Sequence, residues 1–111
     1  MRPLQAITEG LQFPEGPIAM PDGSIILVEI ARGTLTRVHK TGKKEVIADL
    51  GGGPNGAAIG PDGACYVCNN GGFNWEKDAY SGYLRPIGQS DDYVTGRIER
   101  VDLDTVSYTH L

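Results

Sequence analysis

The stretch FPEGPIAMPDG, residues 13–23, returns forty residues later as GPNGAAIGPDG, residues 53–63. Both copies contain a Pro-X-Gly step and a Pro-Asp-Gly turn, and a short run of strand-forming residues follows each turn. This pattern predicts a strand, a tight turn and a second strand in each copy. The repeat replaces Glu15 with Asn55 while it keeps the neighbouring proline and glycine.

A second match extends the repeat, since residues 33–38 resemble residues 96–101 at an offset of 63. The longer offset predicts an insertion of about residues 71–95 in the second copy. We expect the first copy to be one complete four-stranded unit, with strands near residues 16–20, 24–30, 34–40 and 44–50.

A period of about 40 residues built from short antiparallel strands is typical of a β-propeller blade. The 16 glycines, the seven prolines and the lack of helical periodicity favour the same class. A closed propeller has roughly four to eight blades, whereas this chain has 111 residues. We therefore predict an all-β partial β-propeller, with residues 1–105 forming about two N-terminal blades of a longer domain.

The last residues, 106–111, depart from the repeat where a glycine and a further strand are expected. Codons that would spell this tail resemble an adaptor used in sequencing libraries. We expect the tail to be non-native, and a genuine short C-terminal strand is the alternative.

Composition limits the class of partner. The net charge is −4, and the lysines and arginines are scattered singly, so no basic patch indicates nucleic acid or an anionic membrane as a partner. The first ten residues lack the apolar core of a signal peptide, and no run approaches the roughly 18 apolar residues of a membrane span. We expect a cytoplasmic protein, and the sequence leaves its oligomeric state open.

Two cysteines form a C-x-x-C pattern that invites a metal or disulfide interpretation. On a strand, however, Cys65 and Cys68 would point to opposite faces. We therefore interpret both as small buried packing residues. His39, beside a predicted turn, is expected to be exposed, and His110 belongs to the tail, so neither is a good candidate for a catalytic base.

Glu15 and Asn55 are the candidate ligands. Equivalent positions of successive blades converge on the propeller axis, so these two side chains would direct oxygen atoms to one centre. Such a donor set suits a hard divalent cation. The alternative for Asn55 is an ordinary Pro-Asn-Gly turn residue, and the alternative for Glu15 is an exposed loop carboxylate.

The quoted repeats also resemble a known family. The opening Phe-Pro-Glu-Gly-Pro, with its Pro-Asp-Gly turn and the strand through residues 27–30, is similar to the first blade of the SMP-30/gluconolactonase/LRE family of six-bladed propellers. Residues 54–56, 69–72 and 96–102 resemble its bacterial members. The resemblance covers about residues 10–105. Pro-Asp-Gly turns occur in many propellers, while the Glu-Gly-Pro opening is more particular to this family.

The resemblance implies an enzyme that hydrolyses a sugar lactone with one divalent metal at the channel mouth. Ca²⁺ is the expected ion, with Zn²⁺, Mg²⁺ or Mn²⁺ as alternatives, and Glu15 is the metal ligand. The catalytic aspartate and further asparagine ligands would lie in blades that this chain does not contain. The chain would thus carry only part of the site of an intact parent.

Four further residues are candidates for contact with substrate or for support of the metal ligands: Asn55, Asn69, Asn70 and Trp75. The insertion that holds Trp75 would cover the channel and select the substrate, or would simply shield a sheet edge. Two other functions stay open, since fold does not fix function. One is a non-catalytic propeller that binds peptides or proteins, and the other is a metal-free enzyme like strictosidine synthase.

Overall fold

A computed structural model describes residues 3–104 and 107–110. The described residues form ten β-strands and no helix, which confirms the predicted all-β class. The strands are β1 (Pro14–Ala19), β2 (Ile25–Glu29), β3 (Thr34–Val38), β4 (Lys44–Asp49), β5 (Pro54–Ile59), β6 (Cys65–Asn69), β7 (Phe73–Lys77), β8 (Leu84–Gln89), β9 (Arg97–Asp102) and β10 (Ser107–His110).

The first blade is a four-stranded antiparallel sheet in the order β1-β2-β3-β4. Its second, third and fourth strands lie close to the ranges expected from the sequence. The first strand begins at Pro14, two residues before the expected start, because Pro14 and Glu15 already pair with Glu29 and Val28.

The second sheet has the order β10-β9-β6-β5. β6 pairs directly with β9, with Cys65 opposite Val101 and Asn69 opposite Arg97, just as β2 pairs with β3 in the first blade. The residues between β6 and β9 form a separate hairpin of β7 and β8. β10 pairs with β9. Residues 1, 2, 105, 106 and 111 lie outside the described residues, so the domain limits and the non-native origin of the tail stay predictions.

The two Pro-Asp-Gly turns close their hairpins in the same way. Asp22 accepts a hydrogen bond from the Ser24 amide at 2.8 Å, and Asp62 accepts one from the Ala64 amide at 3.1 Å. The glycine that follows each aspartate has a positive φ, 85° at Gly23 and 80° at position 63. Only glycine adopts this backbone readily, and this requirement explains why the turn repeats.

The hydrophobic core lies between the two four-stranded sheets. One side of the core comes from β2, β3 and β4 and from Leu50 just after β4. The other side comes from alternate residues of β6 and one residue of β9. The buried members are Ile26, Val28, Leu35, Ile47, Ala48, Leu50, Cys65, Val67 and Val101. The two repeats therefore pack face to face, as neighbouring propeller blades do. Within the described part of the chain, no helix is long and apolar enough to cross a membrane.

Candidate functional site

The inner strands of the two blades each have a bulge next to the repeat position that Glu15 and Asn55 share. In β1 the regular pairing breaks between Glu15 and Ile18, and in β5 it breaks between Pro54 and Gly56, which leaves Asn55 without a pairing partner. A bulge bends the strand and redirects side chains, and bulges are common beside functional sites. Asn55 thus lies in the bulge of β5, and Glu15 is the last paired residue before the bulge of β1.

Two glycines bring these bulges together. A Cβ atom added to Gly16 would lie 3.4 Å from the Ala57 amide nitrogen and 3.5 Å from the Gly56 Cα. Gly16 also has a φ of 59°, which disfavours any larger residue. β1 and β5 therefore meet through their glycines, and Glu15 and Asn55 are the residues just before the point of contact.

Both candidate ligands are available. Glu15 and Asn55 are exposed, and neither side chain makes a hydrogen bond or ion pair with another residue that the structure describes. Asn55 lies in β5 and lacks the positive φ expected of a turn asparagine. Glu15 lies in β1 and not in a loop. The structure therefore disfavours the turn and loop interpretations of these two residues.

The oxygen donors of Glu15 and Asn55 suit a hard cation, but two residues supply fewer ligands than such a cation needs. A carboxylate and an amide supply oxygen atoms, which Ca²⁺ and Mg²⁺ prefer, whereas Ca²⁺ takes roughly six to eight such ligands. No group of three or more histidine, cysteine, aspartate or glutamate side chains that could hold a metal occurs among residues 3–104 and 107–110. The described residues thus offer two oxygen donors at this place and no complete cation site.

The segment just before Glu15 is held by the first blade. The Gln12 amide donates to Glu29 Oε1 at 2.8 Å, and the amides of Ile30 and Ala31 donate to the carbonyls of Phe13 and Gln12 at 3.1 and 3.2 Å. These bonds tie residues 12 and 13 to the end of β2. They fix the direction in which the chain enters β1.

Phe13 has an unusual backbone. Its φ is 57°, and it is the only non-glycine residue in the described ranges with a positive φ. This conformation costs an L-residue roughly 1–2 kcal/mol, and such strain persists where the surroundings enforce it, often at functional sites. The strained residue lies two positions before Glu15.

Glu29 is the buried acid that anchors this segment. Its side chain is 1 % exposed, and it accepts hydrogen bonds from Arg32 Nε at 2.8 Å and Thr36 Oγ1 at 2.6 Å, with a further bond from Thr34. Burial acts to raise the pKa of Glu29, but the hydrogen bonds outweigh burial and lower this pKa below its ordinary value of 4.5. The carboxylate is thus held in its charged form.

Asn69 is buried in a comparable network in the second blade. Its Oδ1 accepts from the amides of Gly53 and Gly71 at 2.9 and 3.0 Å, and its Nδ2 donates to the Gly51 carbonyl at 2.9 Å and to Glu99 Oε1 at 2.8 Å. These bonds account for the Asn69 amide without a ligand. Asn69 therefore stabilises the fold beside the candidate ligands. None of these bonds indicates direct contact with substrate.

Asn70 and Trp75 lie nearer the surface. Asn70 Oδ1 accepts from the Gly72 amide at 2.7 Å, which shapes the start of the insertion. Trp75 is half-buried, and its ring packs on Phe13 with centroids 5.0 Å apart at 52°. Phe73 meets the Trp75 ring edge-on at 6.1 Å. The structure thus brings the insertion to the segment before Glu15.

The insertion predicted at about residues 71–95 contains a β-hairpin. β7 and β8 pair from Phe73 opposite Gln89 to Lys77 opposite Leu84. Between this hairpin and residues 10–14 lies a groove of about 660 Å³. The hairpin, which belongs to the second blade, therefore lies over the segment that leads into β1.

The cysteines divide as their spacing predicts. Cys65 is buried and Cys68 is exposed, and both thiols are free. The prediction that both are buried is wrong for Cys68, because its face of β6 is not covered. Burial raises the pKa of Cys65 to about 11. His39 is partly exposed, with Nε2 3.6 Å from Glu45 Oε1.

Two residues beside the candidate ligands have roles that the repeat alone does not indicate. For Phe13 the sequence contains no signal, because a left-handed backbone at phenylalanine has no local pattern. For Glu29 the sequence does contain a signal, since an acid stands at the end of the apolar run Ile25–Val28.

Comparison with known protein families supports the interpretation of the repeats. Residues 13–105 match the model of the SMP-30/Gluconolactonase/LRE-like region, so the match begins at the strained Phe13 and spans both blades. No curated protein matches the chain significantly. With most of its length covered by that match, the chain belongs to the SMP-30/gluconolactonase/LRE-like family.

Proposed function

We propose that the chain carries the Glu15 part of the active site of a lactonase, and that the intact parent hydrolyses a sugar lactone with the help of a divalent cation. One observation carries the proposal. Glu15 presents an exposed carboxylate with no partner in the described part of the chain, just before a bulge where the inner strands of two blades meet. Membership of a family named for gluconolactonase supports this choice of chemistry.

The chain's own residues would have distinct parts in this reaction. Glu15 would hold the cation through its negative charge, and Asn55 would add a neutral oxygen or orient a water or substrate hydroxyl. A bound divalent cation supplies Lewis acidity toward the lactone carbonyl. Ca²⁺ is the proposed ion, because the donors are oxygen atoms, with Zn²⁺, Mg²⁺ and Mn²⁺ as alternatives.

The surroundings of Glu15 suit that part. Glu15 is exposed, and Glu29 and Ile30 fix the chain just before it. A carboxylate held on a rigid strand loses less entropy on binding a cation than one on a mobile loop. The proposed partner is a small lactone, and the proposed location is the cytoplasm.

The test is lactone hydrolysis by the intact parent. Gluconolactone hydrolysis would be followed by acid release at constant pH, first in the purified protein, then after chelation, and then after separate addition of each of the four cations. The proposal expects hydrolysis that chelation abolishes and one of the cations restores. Hydrolysis that survives complete removal of metal, or none with any cation, would contradict it. Total inactivity would favour the binding-module alternative.

A further inference from the structure

The hairpin of β7 and β8 touches the approach to Glu15 through one aromatic pair. Trp75 packs on Phe13 with ring centroids 5.0 Å apart, and Phe13 has the left-handed backbone, with a φ of 57°. Backbone hydrogen bonds fix the carbonyls of Gln12 and Phe13. The Phe13 ring packs on Trp75, which comes from the insertion.

Trp75 is itself held firmly enough to act on Phe13. Phe73 packs edge-on against it at 6.1 Å. The base of the hairpin is closed by a hydrogen bond from the Ser90 amide to the Gly72 carbonyl at 3.2 Å. A Cβ atom added to Gly72 would lie 3.3 Å from the Gly52 Cα. The hairpin is thus seated on the linker between the two blades.

These contacts connect the linker between the blades to the candidate ligand through successive neighbours. The linker supports the hairpin, the hairpin holds Trp75, Trp75 packs on Phe13, and Phe13 precedes Pro14 and Glu15. A proline at position 14 has a fixed φ and restricts the residue before it, so a displacement of Phe13 is transmitted through a stiff link toward Glu15. The position of the carboxylate therefore depends on a residue far from it in sequence.

We propose that Trp75 is a positioning residue that holds Phe13 in its left-handed conformation and thereby sets the place of the Glu15 carboxylate. The role toward a cation rests on the function proposed above, whereas the hold on Phe13 does not. On this proposal the insertion does more than cover the channel or a sheet edge, because it also determines the geometry of β1 at Glu15. A tighter or looser aromatic contact would tune cation affinity without a change in any ligand.

The first arm of the test uses amide hydrogen exchange in the cation-free intact parent. The amides of Ile30 and Ala31 bond to residues 13 and 12, and the His39 amide, which bonds to the Lys43 carbonyl at 2.9 Å, serves as a distant reference. Trp75→Leu should speed exchange at Ile30 and Ala31 about tenfold and leave His39 unchanged, since local opening is confined to the released segment.

Two further variants make this arm decisive. Tyr80→Leu removes a fully exposed aromatic ring from the same insertion and should leave all three amides unchanged. Trp75→Phe keeps a ring on Phe13 and should stay within about threefold of the wild-type rates. Unchanged exchange in Trp75→Leu, or acceleration as large at His39 as at Ile30 in both Trp75 variants, would overturn the positioning role.

The second arm measures Ca²⁺ affinity of the intact parent by calorimetry, with Ca²⁺ as the only ligand. Trp75→Leu should weaken binding about tenfold, within the range seen when a support of a metal ligand is lost, and Tyr80→Leu should not. If Glu15→Gln loses Ca²⁺ while Trp75→Leu binds normally, the positioning role fails and the proposed function stands. If Glu15→Gln binds normally, the proposed function fails, and the exchange arm alone decides the hold on Phe13.

Discussion

Glu29 and Asn69 occupy the same position in the two repeats, and each is buried at the end of the second strand of its sheet. Glu29 accepts from Thr36 on β3, whereas Asn69 donates to Glu99 on β9. The offset of 63 makes Thr36 and Glu99 equivalent, so the buried carboxylate has moved to the neighbouring strand in the second blade. Each blade thus keeps one buried carboxylate in a hydrogen-bonded network at this place.

The charge of Glu29 should stabilise the first blade. Glu29→Gln keeps the shape and loses charge-assisted hydrogen bonds, so we expect a loss of about 1–3 kcal/mol in the free energy of unfolding. Glu45→Gln, at an exposed residue of β4 with only long ion pairs, is the matched control and should change stability by less than about 0.5 kcal/mol. Urea unfolding at pH 7 measures both.

Glu29→Gln also tests how the stability contribution of the Glu29 carboxylate depends on pH. Because folding lowers the pKa of Glu29, its contribution is complete above the ordinary value of 4.5 and is lost as the pH falls through the folded-state pKa. The stability difference between wild type and Glu29→Gln should therefore shrink below about pH 4.5. A difference that stays constant from pH 7 to pH 3 would show that the charge contributes nothing.

Asn69 should matter more for stability than its neighbour. Asn69→Ala removes four hydrogen bonds and leaves buried amides and Glu99 with fewer partners, so we expect a loss of about 3 kcal/mol. Asn70→Ala removes one bond to the Gly72 amide and should cost about 1 kcal/mol. Unfolding by urea compares the two. Equal losses would contradict the account of the Asn69 network.

The two thiols should differ sharply in reactivity. Cys65 is buried with its pKa raised to about 11, and the thiolate is the reactive form, while Cys68 is exposed. Under native conditions at pH 8, iodoacetamide should label Cys68 and leave Cys65 unlabelled until urea is added. Mass spectrometry of the digested protein locates the label. Rapid native labelling of Cys65 would contradict its place in the core.

The repeat made the blades predictable because it depends on local chemistry. The turn at Asp22 needs glycine after it and strands on both sides, and these requirements are visible in the sequence. The family and the all-β class followed, and both are confirmed. The contact between β1 and β5 at Gly16 agrees with the equivalent repeat positions of the two strands, and β1 begins two residues before the expected start.

The insertion was less predictable, because its strands carry mixed signals. β7 alternates apolar and polar residues, but β8 contains Pro86 and Gly88, which normally disfavour a strand. Its contact with Phe13 joins residues far apart in the chain, and no local pattern encodes that pairing. The left-handed conformation of Phe13 is unpredictable for the same reason, because tertiary contacts enforce it against the preference of the residue.

The central claim is that Glu15 is a cation ligand, and its charge is the property to remove. Glu15→Gln in the intact parent keeps the shape of the side chain, and Asn55→Ala is the companion variant at the equivalent repeat position. Since a carboxylate binds Ca²⁺ through charge as well as geometry, the Glu15 variant should lose at least about a hundredfold in affinity. Asn55→Ala should lose less, because it removes only a neutral oxygen.

The deciding measurement is Ca²⁺ affinity by calorimetry, with lactone hydrolysis recorded at the highest Ca²⁺ concentration on the same samples. The account predicts that Glu15→Gln loses most of its affinity and its hydrolysis, while the circular dichroism spectrum of the folded protein is unchanged. Wild-type Ca²⁺ affinity in a folded Glu15→Gln protein would contradict the claim that this carboxylate holds the cation.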